Sequence, residues 1–114
     1  MSERTYLDYL EDIRDHLAQA QAFVKGLTYE EFTSDKKTNF AVVRALEIVG
    51  EATKRLPAEL RDRYPNLPWK DMAGMRDKLI HDYLGVDLVV VWKTATLEAP
   101  DLEAEIRSLL LKEA

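Results

Sequence analysis

Four side chains able to do chemistry fall close together in WKDMAGMRDKLIHDYLGVD, Trp69 to Asp87: Arg76, Asp77, His81 and Tyr83. A guanidinium can hold an anion, an imidazole can take or give a proton near neutral pH, and a phenol offers a hydroxyl. On an ideal helix with Arg76 at zero, Leu79 falls at ~300°, Tyr83 at ~340°, Ile80 at ~40° and Leu84 at ~80°. Arg76 is thus expected in the middle of an apolar arc. There it needs an acidic partner or an anion-binding cleft, because an unpaired buried charge is costly. Asp77 and His81 are four apart, so the carboxylate can hydrogen-bond the imidazole and fix its tautomer. Two plainer readings stand beside these: a structural salt bridge for Arg76 and a surface ion pair for Asp77 with His81. Arg76 and His81 are ~140° apart on a straight helix. A bend at Gly74 or a second chain would have to bring them together.

Composition narrows the chemistry. The 114 residues suffice for one domain, 1–114, with one core. No cysteine is present, so disulfides and thiolate metal sites are excluded, and two histidines make a zinc site within one chain an unfavoured expectation. No cofactor is called for. No apolar run reaches the length of a membrane span and the N-terminus lacks a signal-peptide core, so a cytoplasmic location is expected. The net charge of −5 argues against general nucleic-acid binding. Its distribution qualifies that: residues 40–80 carry eight basic and six acidic side chains, the only net-positive third.

The elements around the motif read as helices. Leu7, Leu10, Ile13, Leu17, Ala20, Val24 and Leu27 recur at spacings of three and four, with Thr5 and Asp8 as start and Gly26 as stop. His16 falls at the edge of that packed face. Thr28 to Glu31 is a capping box for a short helix. Ser34 to Asn39 is a connection or a helix start. FAVVRALEIVGEATKRL, Phe40 to Leu56, is a long helix with small residues Ala41, Ala45, Gly50 and Ala52 for close contact. Its polar side carries Arg44, Glu47, Glu51 and Arg55. Glu47 and Glu51 are the nearest carboxylates for Arg76, or else members of a solvated ladder. Pro57 ends that helix, and Pro65 and Pro68 bracket a loop before Trp69. Gly85 is expected to close the motif helix and Asp87 to cap the next. LVVVW is read as helix from its cap and its 88/91/92/95 spacing, and Pro100-Asp101 as a break before a final helix. The fold expected is all-α: an up-and-down antiparallel bundle of four to five helices.

The segments RALEIVGEATKRLP, PWKDMAGMRDKLIHDYLGVD and VVVWKTATLEAPDL resemble the HepT-like branch of the HEPN superfamily over about residues 38–111. That family's motif is an Arg, a polar residue, three more, a His, one more and a Tyr; Arg76, Asp77, His81 and Tyr83 fill the four places. The resemblance implies a metal-independent endoribonuclease toxin that cleaves tRNA or mRNA and works as a homodimer. It also implies a partner, a MntA-like nucleotidyltransferase antitoxin that transfers AMP to the motif tyrosine, here Tyr83. Metal-free RNA cleavage uses the 2′-OH as nucleophile and leaves a 2′,3′-cyclic phosphate. It needs a base, an acid and positive charge near the phosphorane. His81 suits the first two, oriented by Asp77, and Arg76 the third. The alternative is a non-catalytic module that binds substrate for a nucleotidyltransferase.

Overall fold

The computed structural model describes residues 4–80 and 85–114. Helix α1 (Tyr6–Val24) starts where the Thr5 hydroxyl accepts from the Asp8 N–H and the Asp8 carboxylate accepts from the Thr5 N–H. It ends before Gly26, whose φ of 80° lies in the left-handed region that glycine enters without steric cost. Thr28 and Glu31 form the same reciprocal box at the start of α2 (Tyr29–Ser34). Asp35 then accepts from the Thr38 N–H and opens α3 (Lys36–Lys54), a full turn before Phe40. Of the two readings of the polar stretch, connection or helix start, the second holds: Asp35 is a cap and helix follows from Lys36.

Helix α3 packs along α1, which also packs on the C-terminal helix. Leu10, Ile13 and Leu17 of α1 are fully buried with Val42, Leu46 and Val49 of α3. After Pro57 come α4 (Ala58–Arg63), α5 (Trp69–Ala73), α6 (Met75–Leu79) and α7 (Leu88–Lys93). The LVVVW run is helical as read. Asp87 caps it through the Val90 N–H, and Val91 and Ala95 are buried. The break expected at Pro100 is absent. A π-helical turn over Thr94–Glu98 joins α7 to α8 (Ala99–Glu113), and Pro100 sits in the first turn of α8. The wider turn accommodates a proline that can neither donate to the preceding turn nor tolerate its carbonyl.

The architecture is the all-α bundle anticipated, more finely divided than four or five helices. Among the described residues there is no strand, only an isolated antiparallel bridge between Ile80 and Val86. No helix among them is long and apolar enough to cross a membrane.

Candidate functional site

The site is built where α5 and α6 meet the flank of α3. Gly74 separates the two short helices, as the bend read from the sequence requires. Met72, Met75 and Leu79 are buried and fasten the pair to the core. The approach depends on Gly50 of α3. A Cβ there would lie 3.2 Å from the Met75 Cβ and 3.3 Å from the Met72 carbonyl oxygen. A bare backbone at that point lets the hinge sit directly on α3. Glu47, one turn earlier on α3, then faces Arg76, with Nε 3.6 Å from Oε2.

Several expectations are corrected. Arg76 is not in the middle of a buried apolar arc; its side chain is 61% exposed. The buried positions of α6 are Met75 and Leu79, four apart, and Arg76 falls one residue off that row. Glu47 is its carboxylate partner, as one of two alternatives foresaw. Glu51 is not: it pairs with Lys54 at 3.5 Å. The ladder with Arg44 and Arg55 does not form among the described residues. The motif helix does not run to Gly85, because α6 ends at Leu79 and Ile80 is extended, with φ −100° and ψ 113°. Asp77 is exposed on α6. The four-residue row expected to join it to His81 needs helical backbone beyond Leu79, which Ile80 does not have. His81 and Tyr83 themselves lie outside the described residues.

The two ends of the motif segment are tied together. Ile80 and Val86 face each other in the antiparallel bridge, and the Asp87 N–H donates to the Leu79 carbonyl at 2.8 Å. The described residues that flank the motif His and Tyr in the sequence are thus held against each other. This feature escaped the sequence reading. Ile80 and Val86, β-branched residues on either side of the motif core, were its only local signal. On the far side of α6, Lys78 pairs with Glu98 of the π turn at 2.7 Å and ties the hinge to the C-terminal helix.

An exposed ion pair at this distance is worth about 0–1 kcal/mol, so Glu47 orients the guanidinium without committing it. A phosphate diester arriving at this surface can compete for Arg76 with charge-assisted hydrogen bonds of better geometry. No group of three or more His, Cys, Asp or Glu side chains placed to hold a metal occurs among the described residues. His16, given little weight, has a local role: its Nδ1 lies 2.7 Å from the Asp12 carbonyl one turn back.

Comparison with known proteins places the chain in a class. The profile of the family described as "Ribonuclease HepT-like" matches residues 13–109. The chain belongs to that family. It is 47% identical over 107 residues to "Probable ribonuclease HepT" of Thermococcus cleftensis, covering 94% of this chain and 97% of the relative. Two proteins named "Putative RNase" are 44% identical over 110 residues. The one from Methanocaldococcus jannaschii is covered to 91% and the one from Caldanaerobacter subterraneus to 98%, each against 96% of this chain. No solved structure matches the chain.

Proposed function

We propose that the protein is an endoribonuclease whose phosphate-binding group is Arg76 and whose proton-transfer group is His81. The observation that carries this is Arg76 itself: a largely exposed guanidinium on a hinge seated on α3, held by one long ion pair to Glu47. Family membership supports RNA as substrate. In this reading the arginine neutralises charge on the phosphorane while His81 takes the 2′-OH proton and returns one to the leaving 5′-oxygen. One chain offers one such histidine, so a homodimer pairing two motifs supplies base and acid together. In this reading Asp77, exposed next to Arg76 on α6, helps to orient the imidazole.

The biological setting we infer goes further than the family match. The protein acts in the cytoplasm as the toxin of a toxin–antitoxin pair. A MntA-like nucleotidyltransferase antitoxin neutralises it by transferring AMP to Tyr83. An AMP group there would bring a second phosphate to Arg76 and exclude RNA. The test is growth arrest on expression, with Arg76→Ala, His81→Ala and Tyr83→Phe in parallel. The first two should abolish arrest. Tyr83→Phe should keep arrest and resist the antitoxin. Arrest by all three, silenced equally by the antitoxin, would overturn the reading.

A further inference from the structure

A second cationic surface lies next to the hinge. Helices α4 and α5 enclose an open groove of about 510 Å³ lined by Ala58, Arg61, Asp62, Pro65, Trp69, Lys70 and Ala73. The Arg61 Nε is shielded from solvent and has no hydrogen-bond partner among the described residues. A buried N–H donor without an acceptor is uncommon and calls for a ligand or a rearrangement. Neither Arg61 nor Lys70 enters an ion pair among the described residues, whereas Arg63, Arg76 and Lys78 each have a carboxylate within 4 Å. Asp62 is the one carboxylate lining the groove, so the lining carries a net positive charge within a chain of net charge −5.

The groove reaches the hinge that carries Arg76. Ala73, the last residue of α5, lines it, and Arg76 lies three residues on, past the bend at Gly74. Asp71 and Lys78 line a different cleft, against Leu97 and Glu98.

We propose that this groove is a subsite for the RNA strand flanking the phosphate held at Arg76. Arg61 and Lys70 hold a neighbouring phosphodiester, and the exposed Pro65, with the accessible edge of the otherwise buried Trp69, lies against a base. Single-strand sites combine cationic grooves with apolar or aromatic surfaces in this way. The proposal rests on the ribonuclease reading, and its test separates the two.

The experiment measures binding of a non-cleavable 2′-O-methyl oligoribonucleotide across a salt series, alongside cleavage of the matching RNA. The proteins are the full chain, Lys70→Gln and Arg61→Gln/Lys70→Gln. The subsite predicts that the double variant binds the long strand about tenfold more weakly. Its salt slope should fall by about 1.4, that is ~0.7 for each lost contact. Its kcat on a dinucleotide should be unchanged. Lys70→Gln alters an exposed side chain, so it reports half of the slope change even if the half-buried Arg61 proves necessary for folding. Binding and slope equal to the parent in Lys70→Gln, or a strand that fails to bind the parent at all, overturn the subsite. A variant-sensitive slope in a parent that cuts no RNA keeps the groove and sinks the nuclease reading. Loss of affinity for a basic protein partner only, with RNA binding intact, also overturns the proposal.

Discussion

Arg76 is a surface cation whose ion-pair partner among the described residues is Glu47. Arg76→Ala should therefore remove RNA cleavage while changing stability by less than about 1 kcal/mol, measured by denaturant unfolding beside a cleavage assay. Arg76→Lys should recover little activity, since an ammonium cannot present two parallel donors to a phosphate. A different residue pair contributes to the response to acid. The Glu113 carboxylate accepts from the Tyr64 hydroxyl at 2.5 Å and from Arg63 Nη2 at 2.8 Å, and closes α8 against the loop after α4. The Tyr64 hydrogen bond, helped by Arg63, holds Glu113 below the ordinary carboxylate range, and the same bond raises the Tyr64 phenol. A lowered carboxyl stabilises the fold above its unfolded pKa, and that contribution is lost as pH falls through the folded value. The raised phenol stabilises below its unfolded pKa and loses its effect as pH rises through the folded one. The clamp thus holds between those limits. Melting temperature against pH should fall at the acid end in the parent, and the fall should be shallower in Glu113→Gln.

At the scale of the element, the hinge of α5 and α6 depends on its seat on α3. Gly50→Val should cost about 1–3 kcal/mol by overpacking against Met72 and Met75, with loss of cleavage from displacement of Arg76. Gly50→Ala should cost much less, because the gain in helix propensity, ~1 kcal/mol, offsets part of a contact that is tight by only a few tenths of an ångström. Unfolding curves for the two variants check both. The long helices were legible from spacing, and Thr5, Thr28 and Asp87 are caps read by local chemistry; the Asp35 cap of α3 was not singled out. The hinge was legible only in part. Gly74 marked the bend, but periodicity carried the helix on through Ile80. The Ile80–Val86 bridge is a contact between residues six apart, and no helical period reports it. Burial of Arg76 was misjudged for the same reason: the apolar arc was drawn with Ile80, Tyr83 and Leu84, on a helix that stops at Leu79.

Across the whole molecule, α1, α3 and the α7–π–α8 run form the bundle, and the short helices α4 to α6 carry five of the eight cations of the net-positive middle third, Arg61, Arg63, Lys70, Arg76 and Lys78. If two copies share one catalytic centre, mixing excess His81→Ala with the parent should suppress cleavage beyond simple dilution, read as initial rate against mixing ratio. The most direct measurement is end-group analysis of RNA cut without added metal by the parent, Arg76→Ala and His81→Ala, each shown to be folded by its melting curve. The account predicts 2′,3′-cyclic phosphate ends from the parent and no cleavage from either variant; cleavage by both variants at the parent's rate would contradict it.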